Sequence, residues 1–390
     1  MGTLSKKRTV AVKRSATRKA ATTRKLPKAT MANSSRRAAA PRVDKSAPAP
    51  APRRRPARAR PFVIDFHAHV VDPAVVAFSK GHVINTAEPN FTGVSQEAIT
   101  AWRNWRAVVD MKMTDPKVRL ADMDKLGIDM QVLTPSLVHQ YTYWADPADS
   151  LAMEQRTNNR IAEMVAKAPD RFVGLGGVPL QDPALAVSEM RRCVGELGLR
   201  GIEVSSHAEP TELGDPSLRV FWAEAEKLGA VIYLHPSGVA APRYQKFQLW
   251  NSVGQPLEEA LAMSSLFYEG VLDAYPKLKI CVAHGGGYLP FYTGRVDRNF
   301  ANKGFTRIHM TKSPTQYLRE HFWYDTCLYN EDMLEFLVKK VGASRLVLGS
   351  DYPVGEADPI GFVRRARGLS SADKADILGR NAAALLGLSL

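Results

Sequence analysis

Four histidines and one aspartate sit where chemistry can be done. His67 and His69 are one residue apart in FVIDFHAHV, His235 precedes a proline in AVIYLHP, His284 opens HGGG, and Asp351 opens the DYP of RLVLGSDYP. Residues i and i+2 of a strand point the same way, so the H-x-H pair can reach one ion. A neutral imidazole binds Zn²⁺ at about 2.0 to 2.1 Å. Three imidazoles and a carboxylate suit a borderline-soft ion such as zinc, with Mn²⁺ as the other candidate, better than Mg²⁺ or Ca²⁺. Zinc lowers the pKa of its water to about 7, and a neighbouring imidazole can move the proton.

Residues so far apart need a scaffold that gathers them, and the chain from Phe62 onward supplies one. Eight β-branched runs recur: FVIDF (62–66), DMQVLT (129–134), RFVGLGGV (171–178), GIEVS (201–205), AVIYL (230–234), KICVA (279–283), FWYDT (322–326) and RLVLGS (345–350). Helical patterns lie between them, several opening at Asp-Pro and ending at Gly, which are start and stop signals. Near-continuously apolar strands alternating with amphipathic helices specify a parallel sheet covered on its outside, and eight such units predict an α/β protein, a closed (β/α)8 TIM barrel with an insertion after strand 1. In such a barrel catalytic groups gather at the carboxyl ends of the strands, where all five residues fall.

The 390 residues carry a net charge of +14, unevenly placed. Residues 1–61 hold 19 Lys+Arg against a single acid, Asp44, which leaves residues 62–390 at −4. That segment is Ala, Pro, Ser, Thr and base, with too little apolar surface to offset chain entropy, and reads as a disordered tail on a barrel of 62–390. Such a tail can neutralise phosphates on nucleic acid or another anionic surface, serve as an organelle transit segment, or be a solvated extension. No apolar run is long enough to cross a membrane, and no secretory core opens the chain. Three cysteines without C-x-x-C spacing exclude a disulfide framework and a thiolate cluster, which fits a reducing compartment such as the cytoplasm. No glycine-rich dinucleotide or phosphate-loop motif follows any strand.

The H-x-H on strand 1, His on strands 5 and 6 and Asp on strand 8 resemble the amidohydrolase superfamily, in its branch of metal-dependent decarboxylases. The stretches DPKVRLADMDKLGIDMQVLTPS, RFVGLGGVPLQDPALAVSEMRRCVGELGLRGIEV, YPKLKICVAHGGGYLPFYTGRV and RLVLGSDYPVGE are similar, more narrowly, to the 2-amino-3-carboxymuconate-6-semialdehyde decarboxylase family. The resemblance implies that His67, His69, His235 and Asp351 hold one zinc ion, that His284 is the acid/base, and that Asp351 either takes a proton from the activated water or only holds the metal. It further implies that water adds to the substrate double bond, the neighbouring carbon is protonated and CO₂ leaves. Strand 4 offers no Lys to bridge two metals, only Glu203 and the downstream His207.

By the same resemblance Arg295, in HGGGYLPFYTGR, reaches the active site of a partner subunit in a homodimer. Arg103 or Arg106, in AWRNWRAVV of the insertion, binds a substrate carboxylate, with Arg106 favoured. Trp102 and Trp105 are lid or packing residues. His139 reads as a packing residue, Cys281 as a small core residue, and Gly285 to Gly287 as a place where backbone passes close to the site. Gln248 and Asn251 stand where the family places aromatics, which leaves the substrate open: a carboxylated muconate-type or aromatic acid. A hydrolase or hydratase using the same activated water, and a nucleic-acid-associated protein acting through its tail, are the other readings.

Overall fold

The computed structural model describes residues 60–80, 94–239, 241–244 and 246–390. The basic segment before residue 60 lies outside the described residues. Eight parallel strands carry the architecture: β1 (Ile64–Val70), β2 (Met130–Pro135), β3 (Phe172–Gly174), β4 (Gly201–Val204), β5 (Val231–Leu234), β6 (Lys279–Val282), β7 (Phe322–Asp325) and β8 (Leu346–Val347). β1 to β3 pair in order, as do β4 to β8. Two seams join these groups into a barrel. At one, Gly176 N donates to Gly201 O (2.9 Å) and Glu203 N to Gly176 O (2.7 Å). At the other, His69 N donates to Tyr352 O (2.9 Å) and Tyr352 N to His67 O (3.0 Å).

The strands are buried almost throughout because both faces are covered. The interior is filled by Ile64, Phe66, Val132, Leu175, Val231, Tyr233, Cys281 and Val347, and the last helix, Asn381–Leu386, packs Ala382, Ala383, Leu385 and Leu386 against this set. A larger apolar layer lies between strands and helices. Cys281 is thus a core residue, as its sequence context indicates. Asp72, Asp115, Asp146, Asp182, Asp215 and Asp358 each precede a proline and accept a backbone N–H of the following turn. Each such cap stabilises its helix by about 1 kcal/mol and fixes where the chain turns back from a strand end.

Three strands differ clearly from their expected extents, β3 ending at Gly174 where the run is expected to reach 178. β1 continues through both histidines to Val70, because it pairs with β2 along its length and with Tyr352 at its end. β8 stops at Val347, since the amides beyond it are spent elsewhere: Leu348 N on Ile377 O, Gly349 N on Thr326 Oγ1 and Ser350 N on Asp65 Oδ1. The insertion after β1 forms the helices Pro73–Ser79 and Gln96–Thr114. Among the described residues no helix is long and apolar enough to cross a membrane.

Candidate active site

The pairing of β1 with β2 shifts register between Asp65 and Ala68. Before the shift Ile64 and Phe66 face the interior; after it His67 and His69, of opposite parity, do so too. A bulge of this kind re-aims side chains at a barrel rim. Asp65, fully buried, secures it by accepting from Ser350 Oγ (2.7 Å), Ser350 N (2.9 Å) and Gln131 Nε2 (2.9 Å), which ties β1 to the chain just before Asp351. Arg119, also buried, donates to Gln131 Oε1 and the His69 carbonyl and lies 4.6 Å from the Tyr352 ring centre.

The result is a convergence of donors. His67 Nε2 lies 3.1 Å from His69 Nε2, and Asp351 Oδ1 lies 3.3 Å and 3.1 Å from those two atoms. One donor atom from each of His67, His69, His235 and Asp351 lies within 4.8 Å of the others, and all four residues are buried. Nitrogen lone pairs packed this closely repel unless a cation or proton lies between them, and three imidazoles with one carboxylate are the donor set of a borderline-soft divalent ion. The structure brings together the four residues named from sequence, and their donor set fits a metal.

Residues 64–388 match the amidohydrolase family. The chain belongs to that family. It is 38% identical over 284 residues to a 2-amino-3-carboxymuconate-6-semialdehyde decarboxylase of Dictyostelium discoideum, covering 72% of this chain and 79% of that protein. It is 30% identical to a gamma-resorcylate decarboxylase of Rhizobium radiobacter, covering 73% and 90%. A dihydroxybenzoic acid decarboxylase from Polaromonas, solved with manganese and 2-nitroresorcinol, superposes with a TM-score of 0.69 at 26% identity over 83% of this chain and 96% of that one. The molecule is an amidohydrolase-family carboxy-lyase with a (β/α)8 barrel and a divalent-metal site.

Two carboxylates that sequence reasoning passed over complete this amidohydrolase centre. Asp325, the last residue of β7, accepts from His67 Nδ1 (2.7 Å), Tyr233 Oη (2.9 Å) and Cys327 N (3.1 Å). Holding the proton on Nδ1 leaves the His67 Nε2 lone pair for the ion. Its position at a strand end was a signal, but an acid that touches no ligand looks like any other from sequence. Glu259, inside the helix Gln255–Tyr268, lies 2.5 Å from His284 Nδ1 and gave no sequence signal. Gly287 has φ 60° and lies against Pro256 O and the Glu259 carboxylate, where a Cβ would collide. Glycine there lets the loop after β6 approach that helix. His284 and Asp351 themselves hold positive φ, 48° and 56°, a costly backbone state of the kind that collects at functional sites.

Burial holds the His69 and His235 imidazoles below their usual range and hence neutral, the form that ligates. Burial also opposes the charge on Asp351, but the surrounding imidazoles, His67 foremost, outweigh it and hold that carboxyl at about 2. His284 is likewise penalised by burial, yet Glu259 draws its basicity upward. His284 Nε2 stands 4.0 Å from Asp351 Oδ2.

A cavity of about 280 Å³ opens over the metal ligands, walled by Trp102, Trp105, Trp250, Arg106, His139, Gln248, Asn251 and His284. Arg106, whose Nε donates to Asp110 Oδ1 (2.8 Å), lines it, whereas Arg103 is exposed and outside that wall. His139 is more than a packing residue: its Nδ1 pairs with Ser136 Oγ (2.7 Å), and it forms part of the cavity wall. Arg295 is exposed on the helix Leu289–Asn302 and does not line this cavity. Glu203 of β4 is buried outside the ligand set.

Proposed function

We propose that this enzyme removes CO₂ from a small planar acid, a carboxylated muconate semialdehyde or a hydroxylated aromatic acid, with zinc as the resident ion and His284 as its acid/base. The observation that carries the reading is the placement of the carboxylate-backed His284 beside the four-ligand cluster, under a cavity walled by three indoles and Arg106. Zinc at His67, His69, His235 and Asp351 would supply Lewis-acid polarisation and a water of lowered pKa.

The chain's own groups do the rest. Arg106 offers a planar two-pronged donor to a substrate carboxylate. The indole walls hold a flat π-system and keep bulk water away from it. Loss of CO₂ would leave an electron pair on carbon; when that carbon has first taken a proton, the pair of the breaking C–C bond returns instead to the conjugated system as CO₂ leaves. His284 Nε2 faces the cavity while Glu259 fixes Nδ1, which suits it to carry that proton to carbon and to regain one from water. Arg295 completes the site of a second copy of this chain; the exposed Tyr292, Phe305 and Ile308 on and just after its helix support a homodimer face there. Three buried unpaired cysteines support a reducing compartment, the cytoplasm. The basic tail makes nonspecific, salt-sensitive contact with nucleic acid or other anionic surfaces.

Incubating the zinc-loaded protein with a panel of carboxylated muconates and hydroxybenzoates, while following CO₂, tests the reading. Release from one class, abolished by chelation and restored by zinc, is expected. A panel that yields hydration or hydrolysis products and no CO₂ would overturn it.

A further inference from the structure

The loop after β2 places one side chain in the cavity wall that the metal centre does not use. Ser136 N donates to Val70 O (3.1 Å), His139 N and Gln140 N both donate to Ser136 O (3.0 Å), and the buried Gln140 accepts at Oε1 from Asp72 N (3.0 Å). The turn is thereby pinned to the end of β1, the strand that carries His67 and His69. His139, within this turn, stands in the cavity wall with Arg106, His69 and His235. Its Nδ1 lies 2.7 Å from Ser136 Oγ, and its Nε2 makes no hydrogen bond among the described residues. Burial, and then the Arg106 charge, hold its basicity down to about 3, so the ring is neutral and carries one proton. The Ser136 hydroxyl decides which nitrogen has it. Fully buried, that hydroxyl makes no other hydrogen bond among the described residues, so its hydrogen is stranded unless it goes to His139 Nδ1. The ring proton therefore sits on Nε2, which becomes a neutral N–H donor beside a cation.

We propose that His139 sets which acid this site takes: it donates from Nε2 to an oxygen next to the carboxylate that Arg106 holds, and so selects a 2-hydroxy aromatic acid over an amino-substituted one. This rests on the decarboxylase reading of the site and narrows its substrate class. In a 2-hydroxybenzoate the hydroxyl spends its hydrogen on the adjacent carboxylate, so its oxygen turns lone pairs outward, where an N–H can meet them. A 2-amino group offers the opposite surface. Its nitrogen lone pair is delocalised into the ring, and its outward N–H faces the His139 N–H, donor against donor. Such a mismatch in a buried wall costs about 10- to 100-fold in affinity. A charged imidazole would attract any anion, whereas a neutral one reads the direction of the hydrogen bond.

The experiment titrates zinc-loaded protein calorimetrically with 2-hydroxybenzoate and with 2-aminobenzoate, in the wild type and in His139→Phe, His139→Ala and His139→Gln. The wild type should bind the hydroxy acid about tenfold or more tighter than the amino acid. In His139→Phe and His139→Ala that ratio should fall about tenfold, because the hydroxy acid alone weakens. His139→Gln, whose amide N–H reaches near the position of Nε2, should keep most of the preference. Equal or reversed preference in the wild type would overturn the proposal. So would an unchanged ratio in whichever of the Phe and Ala variants retains its zinc, or an equal weakening of both ligands there, which is what a merely structural role predicts. Failure of the decarboxylase reading looks different: no acid of either kind then yields CO₂, while the preference in binding is still measured.

Discussion

Two imidazoles here are each backed by a buried carboxylate, His67 by Asp325 and His284 by Glu259, and what their far nitrogens face separates their roles. His67 Nε2 points among other ligands at 3.1 to 3.3 Å, whereas His284 Nε2 stands 4.0 Å from Asp351 Oδ2 and His284 borders the cavity. Replacing His284 by Ala should therefore leave about one metal per chain and lower turnover by roughly 10² to 10⁴. Near-normal turnover would reduce it to a structural residue. Asp325→Asn should act on the ion instead, weakening metal affinity about 10- to 100-fold in a chelator competition; unchanged affinity would mean Asp325 only braces the barrel. The five residues of the centre were legible because histidines and an aspartate recur at strand ends. Asp325 and Glu259 were not, because their partner is a ring nitrogen contributed by a residue far away in sequence.

At the scale of elements, the eight runs and their Asp-Pro helix starts were readable because both follow from local chemistry: β-branched burial and side-chain capping. The bulge in β1 was not readable, since alternation alone assigns Phe66 and His67 to opposite faces, and it takes the Asp65–Ser350 clamp to bring both inward. The insertion helix Gln96–Thr114 is what brings Arg106 over the site. Arg106→Ala should raise KM severalfold with metal content intact, and a variant with ordinary KM would return the carboxylate to another cation. The short hairpin of His207–Ala208 and Thr211–Glu212 gives a pH test. Glu258, 3.0 Å from His207 Nδ1, raises that imidazole's pKa above its usual range, partly against burial. A raised folded-state value contributes stability that is complete below the unfolded value of about 6.5 and fades as pH rises through the folded one. Glu258→Gln should thus cost up to about 1 kcal/mol in urea melts at pH 6 and much less at pH 10. An equal loss at both values would mean that packing, not charge, holds the hairpin.

The whole molecule raises a question that one chain cannot answer by itself, because Arg295 is exposed and outside its own cavity wall, which His69, His235, Asp351, His284 and Arg106 line. An arginine that serves catalysis from that position does so in a second copy. Each subunit then supplies the metal centre and His284 to its own site and Arg295 to its neighbour's. Mixing two inactive proteins, His284→Ala and Arg295→Ala, under conditions that exchange subunits should restore activity. In a hybrid dimer one site carries both losses and the other carries neither, so a random mixture, half hybrids, has about one quarter of its sites intact. Recovery should approach that fraction of wild type and should depend on exchange, which differently tagged chains can report. A chain that sediments as a monomer, or full exchange with no recovery, would show that Arg295 is a surface charge and that each subunit works alone.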